Sequence, residues 1–332
     1  MTAPAGRRPR AVFFGSPAFA VPALECTAAA TDLVAVVTQP DRPAGRGQAL
    51  SEPAVKEAAR RVAPGVPVLQ PEKIRTGEFE SRLRELHAEL FVVVAYGRIL
   101  PPAILALPPL GPWNVHASIL PRLRGAAPIQ WAIINGDERA GVSVMRMEAG
   151  LDTGPVAAVT ALEVRDDDTA GTLASRLATS GADLLLNTLP SIINGTVRLT
   201  AQDEARATLA PLLKKEDGRL DFKQPARLVS ARARGVDPWP GATASLDDGQ
   251  LVKLFGARAW SAGGTPAAAE QRRGAVASAS PGTILRIDEA GLHVSCGEGR
   301  IVFQELQLPG RRRMAAAEAA AGRAIAAGGH LG

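Results

Sequence analysis

A chain of 332 residues is long enough for two domains, each with its own core, and an apolar content of 46% is ordinary for a globular protein. No apolar run approaches the length of a membrane span, and the segment behind Arg7, Arg8 and Arg10 is too short for the core of a secretion signal. Cys26 and Cys296 stand far apart without metal-ligand neighbours, so reduced thiols in a cytoplasmic protein are expected, with no disulfide.

The net charge of +5 is unevenly spread: from Arg206 onward there are 18 Lys and Arg against 12 Asp and Glu, and before it 20 against 21. A surplus confined to one part suits contact with a polyanion, and equally a solvated basic face.

Arg10 to Phe14 reads as a first strand, Gly15-Ser16-Pro17 as a tight turn and Ala20 to Ala30 as a helix, the opening of a doubly wound α/β domain. That turn holds one glycine, so a dinucleotide fingerprint is absent, which argues against a nicotinamide or flavin enzyme. Leu33 to Thr38 is a second strand, apolar throughout as buried parallel strands are. The loop from Gln39 to Leu50 carries Arg42, Gly45, Arg46 and Gly47 with two prolines, and is too long for a minimal strand-to-helix turn. Such a loop is commonly plain surface; its two guanidinium groups could also order on a phosphate-rich partner.

Ser51 is placed to cap a helix with Pro53 in its first turn, running to about Val62. A short strand at Val66 to Leu69 and a helix at Glu78 to Leu86 follow, and His87 reads as a solvated surface residue. Leu90 to Ala95 is a buried strand leading into Tyr96 and Gly97, a strand end where ligands sit in open sheets. Tyr96 is equally readable as packing.

Pro112 to His116 reads as the end of another buried strand, so Asn114 and His116, two apart, face the same way. Asp152 lies downstream between Gly150 and Gly154, in a segment free to adopt conformations that other residues resist. The expectation is that folding brings Asp152 to His116 beside Asn114. Pro128 to Asn135 reads as a helix, Val142 to Met147 as a strand, and Val156 to Val164 as its antiparallel partner. Thr169 then caps a helix from Ala170 to Leu189. Three consecutive aspartates at 166–168 seldom converge on one ion, and carboxylates ahead of a helix favour its dipole, so no metal is expected.

Composition shifts near Thr200 to Leu213, suggesting domains at 1–205 and 206–332. The second holds a helix at Gln224 to Gly235 and short strands at 242–246, 251–255, 282–287, 291–295 and 300–306, a spacing that suits a small barrel. Residues 262–280 are Gly/Ala/Pro/Ser-rich and read as an extended loop. Ala315 to Ala327 reads as a helix without assigned role, and His293 and His330 show no partner in the sequence.

A carboxylate beside an imidazole holds one tautomer and stabilises the cation, which suits proton movement near neutral pH. An asparagine amide on the same face can donate to an oxygen gaining charge. No activated serine or cysteine is evident; Ser118 begins a turn. Asn114, His116 and Asp152 therefore suggest direct attack by a neutral amine on an acyl donor. Asn-x-His alone is more often a structural pair, and Asp between glycines a turn residue.

The ordered set of flanking motifs changes those odds. Asn114-Val115-His116-Ala117-Ser118-Ile119-Leu120-Pro121, then Arg124 to Gln130, then Gly150-Leu151-Asp152-Thr153-Gly154 resembles the methionyl-tRNA formyltransferases. Gly15-Ser16-Pro17, Gln39 to Gly47, Asp237-Pro238-Trp239-Pro240 and Pro281 to Ile284 fit the same family, in order, over nearly the whole chain. The resemblance implies a formyltransferase-type Rossmann-like domain with a mostly parallel sheet, then a small OB-like β-barrel that binds tRNA. It implies transfer of a formyl group from 10-formyltetrahydrofolate to the methionine amine of initiator methionyl-tRNA. By it, Asn114 and His116 stabilise the oxyanion, Asp152 orients and charges His116, and Ser118, Ile119, Leu120 and Pro121 shape the folate pocket together with backbone near Tyr96. Arg42 and Arg46 would meet the tRNA acceptor end. A monomer is expected.

Rival readings are a folate-dependent formyltransferase acting on a small amine, such as an amino-sugar nucleotide or glycinamide ribonucleotide, and a non-catalytic RNA-binding protein. Arg42, Arg46 and the basic second part weigh against the former, and an intact Asn114, His116 and Asp152 against the latter.

Overall fold

The computed structural model describes residues 8–44, 49–260, 279–322 and 324–332. Arg46 and nearly all of the stretch 262–280 lie outside the described residues. By its internal contacts the chain divides into two units: Met1–Pro128, Ala140–Leu162 and Ala174–Pro211, and Ile129–Arg139, Glu163–Leu173 and Leu212–Gly332.

The first unit is built on a seven-stranded sheet. Its strands are β1 (Arg10–Gly15), β2 (Asp32–Val37), β5 (Val68–Leu69), β6 (Leu90–Val94), β7 (Pro112–His116), β8 (Arg139–Arg146) and β9 (Val156–Glu163). A separate two-stranded ribbon, β3 (Arg42–Ala44) with β4 (Ala49–Ser51), stands between β2 and β5 in the chain. The sheet order is β5-β2-β1-β6-β7-β8-β9. The pairs from β5 to β7 are parallel and β7–β8 is antiparallel. Arg146 N–H bonds Pro155 C=O, and Val164 N–H bonds Glu138 C=O. Those bonds run β9 antiparallel to β8.

Unbroken apolar runs explain the central strands: residues 11–14 of β1 are wholly buried, as are Leu90, Phe91, Val92 and Val94 of β6. Helices α1 (Val21–Ala30), α2 (Ala54–Val62), α3 (Gly77–Glu85) and α4 (Pro102–Leu105) follow their strands as alternating α/β chains do. Thr76 caps α3 by accepting the Phe79 N–H at 3.3 Å. Ser51 does not cap α2 as the sequence suggests. It is paired with Arg42 in the β3–β4 ladder, and Pro53 takes the cap position. Chain order runs from β1 to β2 and β5 on one side, then to β6 on the other. The order of winding thus reverses between β1 and β6, which stay parallel, and such a switch point leaves a crevice at the carboxyl ends of the two strands.

After α5 (Pro128–Ile134), helix α6 (Ala170–Ile193) begins at Thr169, whose hydroxyl accepts the Thr172 N–H at 3.2 Å. It runs through Pro190 rather than stopping before it. Gly181 of α6 lets the helix lie against β7 and β8: a methyl there would meet Val115 and Val142 at 3.1 Å.

The second unit holds α7 (Ala226–Gly235) and strands β10 (Ala242–Ser245), β11 (Leu251–Trp260), β12 (Ile284–Asp288), β13 (Gly291–Ser295), β14 (Arg300–Gln307) and β15 (Met314–Ala315), then α8 (Ala316–Ala321). The sheet order is β10-β11-β14-β13-β12, with β15 on β14 and neighbouring strands antiparallel. Residues 328–332 close it into a barrel. Ser245 and Gly332 exchange N–H···O bonds of 2.7 and 2.8 Å, while Ile284 bonds Gly328 and Gly329 at 2.8 Å each and Leu331 N–H reaches Gly282 C=O. The alanine-rich end is therefore only briefly helical, and the last five residues join β10 to β12. Gly235 brings α7 against α5, where a methyl would lie 2.5 Å from Ile134.

Two histidines read from sequence as lacking partners have them. His330 N–H donates to Asp247 Oδ2 at 3.0 Å, and its ring bonds the Pro281 carbonyl. His293 is 1% exposed and its Nε2 lies 2.9 Å from Asp288 Oδ1. Strand β13 alternates in and out, but both faces of it are buried, so a polar side chain on either must be satisfied locally. Burial pushes the His293 ring below its ordinary pKa, with the Asp288 hydrogen bond opposing. The neutral ring thus donates its Nε2–H. Burial would raise the Asp288 carboxyl, but the hydrogen bonds from His293 and Ala290 and the charge of Arg286 hold it below its usual range.

Candidate active site

Strand β7 ends at the carboxyl edge of the sheet and delivers Asn114 and His116 to one face, with Val115 turned into the core at 3% exposure. His116 is 6% exposed. Asp152 comes from the loop between β8 and β9. Its carboxylate lies 3.7 Å (Oδ2) from His116 Nδ1 and 3.5 Å (Oδ1) from Asn114 Nδ2. Both separations exceed a good hydrogen bond, so the three groups are gathered but not locked together. The firm bond to Asp152 comes from the backbone: Gly125 N–H donates to Oδ2 at 2.8 Å.

The loop shape follows from its residues. Asp152 has φ of 53°, a left-handed conformation that Asp tolerates better than most side chains. Gly154 passes so close to β8 that a methyl would sit 1.9 Å from the Arg146 carbonyl oxygen. Gly125, at φ of 121°, would place a methyl 2.7 Å from the Ala210 carbonyl.

His116 Nε2 lies 3.0 Å from the Leu123 carbonyl oxygen. A carbonyl only accepts, so Nε2 carries a proton and Nδ1 is the nitrogen facing Asp152. Protonated on both nitrogens, the ring would find an acceptor at each. Sequence reasoning missed Leu123, because a backbone carbonyl leaves no mark in residue type.

Ser118 is buried and its hydroxyl donates to Arg122 C=O at 2.6 Å, so it is committed to the turn. Leu120 N–H bonds Ser143 Oγ, whose hydroxyl in turn bonds Ser118 C=O, and the Leu120–Pro121 peptide is cis. Ser118, Ile119, Leu120 and Pro121 thus form a braced turn directly after His116.

In the crevice at β1 and β6, Ala95 and Gly97 are exposed with positive φ. The intervening Tyr96 carbonyl accepts the Gln39 carboxamide at 3.0 Å and the Ser16 hydroxyl at 3.4 Å. The Tyr96 ring belongs to the core, edge-on to Phe14 at 5.6 Å. Burial pushes its phenol up to about 12.

Arg42 is exposed on the β3–β4 ribbon. The ribbon's root is fixed at Asp41, which takes hydrogen bonds from Gln70 (2.7 Å) and Lys56 (2.6 Å). These, Gln70 foremost, hold the Asp41 carboxyl below its ordinary range. Among the described residues no group of three or more His, Cys, Asp or Glu side chains is arranged to hold a metal.

A second layer behind Asp152 was also missed from sequence. Arg124, 5% exposed, bonds Gln202 and Glu204, and Gln202 bonds the backbone of Asp152 and Gly154. The hydrogen bond to Glu204 pushes the Arg124 pKa up against its burial.

Residues 10–189 match the formyl transferase family, and residues 212–324 match the formyl transferase C-terminal domain. Methionyl-tRNA formyltransferase of Myxococcus xanthus is 46% identical over 321 residues, 97% of this chain and 97% of that protein. The enzyme of the same name from Anaeromyxobacter sp. is 48% identical over 315 residues, 94% of this chain and 96% of that one. Among solved structures, WlaRD, a sugar 3N-formyl transferase in the presence of dTDP and 5-N-formyl-THF, aligns with a TM-score of 0.63 at 15% identity, over 92% of this chain and 100% of that one. At that identity the likeness is one of fold.

Proposed function

The chain belongs to the methionyl-tRNA formyltransferase family, and on that premise we propose that it moves a formyl group from 10-formyltetrahydrofolate to the free amine of methionine on initiator methionyl-tRNA. The observation that carries the reading is the gathering of Asn114, His116 and Asp152 at the end of β7.

The folate, when bound, supplies an activated formyl group. Exposed backbone at Ala95 and Gly97 fits the amide-like edge of a pterin, and the braced turn from Ser118 to Pro121 is the second wall. Asn114 directs its amide at the oxygen that gains charge, a donor typically worth about 3 kcal/mol in a water-excluded site. His116 gives its Nε2–H to the Leu123 carbonyl at rest. A developing oxyanion is a stronger acceptor than a carbonyl and takes that proton's bond over. Asp152 orients the ring and faces any charge it gains. As the amine nitrogen bonds the formyl carbon, the bond from that carbon to the folate nitrogen breaks, and the proton the amine loses passes through the ring to that nitrogen, releasing tetrahydrofolate. No serine or cysteine nucleophile is needed, in keeping with Ser118 being tied to Arg122. The amine is primary and must be neutral to attack.

Arg42, on a fixed root, and Arg46 are assigned to phosphates of the tRNA acceptor end, and the basic C-terminal region to the body of the tRNA. The domain boundary is assigned to 205/206.

The test is incubation of the purified protein with 10-formyltetrahydrofolate and methionyl-tRNA, followed by analysis of the aminoacyl group. A blocked amino terminus on charged tRNA, and none on free methionine, is expected. Formylation of an amino-sugar nucleotide in place of methionyl-tRNA would overturn the assignment.

A further inference from the structure

Segment Thr200–Ala210 leads toward the C-terminal region, and its backbone laces onto the loop after His116. Arg124 N–H bonds Thr208 C=O at 2.8 Å, Ala210 N–H bonds Arg124 C=O at 2.7 Å, and Leu123 N–H bonds the Thr208 hydroxyl at 2.9 Å. Gln202 stands at the other end of this lacing. Its Nε2 donates to both the Asp152 and Gly154 carbonyls at 2.7 Å. Its Oε1 accepts from Arg124 Nε at 3.1 Å and Nη2 at 2.9 Å. The carboxamide has only one workable orientation, because carbonyls only accept and guanidinium groups only donate. Arg124 is itself held from behind by Glu204, at 2.8 and 2.7 Å.

We infer that Gln202, oriented by Arg124, is a positioning residue for the transfer reaction: it pins the carbonyls of the left-handed Asp152 and of Gly154 just after it, and so sets where the Asp152 carboxylate meets His116 and Asn114. This rests on the proposed formyl transfer. Asp152 adopts φ of 53°, a region costly for most side chains, and its separations from His116 and Asn114 are too long to fix it. Two short bonds from one side chain to the carbonyls of residues 152 and 154 supply that restraint. Arg124 also lies next to Gly125, whose N–H holds the Asp152 carboxylate. Gln202 and Arg124 thus govern the backbone and the carboxylate of the turn together.

Gln202→Glu retains length and keeps an acceptor for Arg124, but has no N–H for either carbonyl. Gln202→Met keeps shape and loses all four bonds. For each, kcat and KM for both substrates are measured in the wild-type and in the Asp152→Ala background, with thermal melts alongside. A displacement of about 1 Å at a reacting group costs up to roughly 100-fold. The expected result is a loss of kcat of roughly 10- to 100-fold, with unchanged KM in wild type, and no further loss when Asp152 is already absent. A purely structural role would give the same loss in both backgrounds, and that result overturns the inference. Wild-type kcat in the Glu variant overturns it as well. Should the unmodified protein formylate no methionyl-tRNA, the underlying reading fails first; an active wild type with an indifferent Gln202 sinks this inference alone.

Discussion

Replacing Asp152 by Asn separates the charge of that side chain from its shape. Asn tolerates a left-handed backbone as well as Asp does, so φ of 53° remains available. Its amide oxygen can still accept the Gly125 N–H, now made at 2.8 Å. Stability should therefore stay within about 1 kcal/mol of wild type. What disappears is a unit charge 3.7 Å from His116 Nδ1. At an effective dielectric constant near 20, opposite charges at that separation attract by about 4 kcal/mol. If the cationic ring is stabilised by that charge only as the transition state is reached, kcat should fall roughly 1,000-fold. Rapid-quench single-turnover assays with both substrates saturating read this number directly, and a urea melt reads the stability. An Asn variant that folds normally and keeps a tenth or more of the wild-type rate would refute the electrostatic role of Asp152.

Gly125→Ala should destabilise the first unit by about 1–3 kcal/mol, since the methyl meets the Ala210 carbonyl at 2.7 Å in a conformation that favours glycine; a denaturant titration checks it. Removing residues 328–332 strips the strand-like contacts that join Ser245 to Ile284 and takes away Leu331, a core residue at 1% exposure; loss of at least about 2 kcal/mol is expected, seen as faster proteolysis of the C-terminal region. The His293 pKa is lowered in the folded protein, so near and below its ordinary value of 6.5 the unfolded chain binds more protons. Stability should thus be full above that pH and decline as pH falls through it, and His293→Leu should flatten the decline in melts taken from about pH 8 to about pH 5. Arg42→Ala should weaken tRNA binding and reduce the slope of log affinity against log salt by about one, read from filter binding at several salt concentrations.

Much of the fold was legible because burial leaves a compositional trace. The apolar runs at Ala11 to Phe14 and Leu90 to Val94 read as parallel strands without reference to anything distant. Asn114 and His116 share a face because strands have a period of two, which needs only local sequence. That Asp152 reaches them depends on the β8 loop returning past its own strand, visible only as a pair of glycines. Contacts made by backbone were not legible at all. The Leu123 carbonyl on His116 and the Gly125 N–H on Asp152 belong to atoms that every residue possesses. Gln202 sat in a stretch notable only for changing composition, and its role appears once its amide is seen on two carbonyls. Ser51 shows the converse: its cap signal is genuine chemistry, but a ladder with Arg42 claimed the residue first. The end of the chain misled through alanine content, which favours helix locally, whereas the barrel needed an extended segment between β10 and β12.

The central claim is that the cluster at the end of β7 performs the transfer, and His116→Ala tests it most directly. Single-turnover formylation of methionyl-tRNA is measured with saturating 10-formyltetrahydrofolate, and tRNA affinity is measured on the same preparation. Loss of nearly all turnover with unchanged tRNA affinity is the result expected. Near wild-type turnover in that variant would contradict the account.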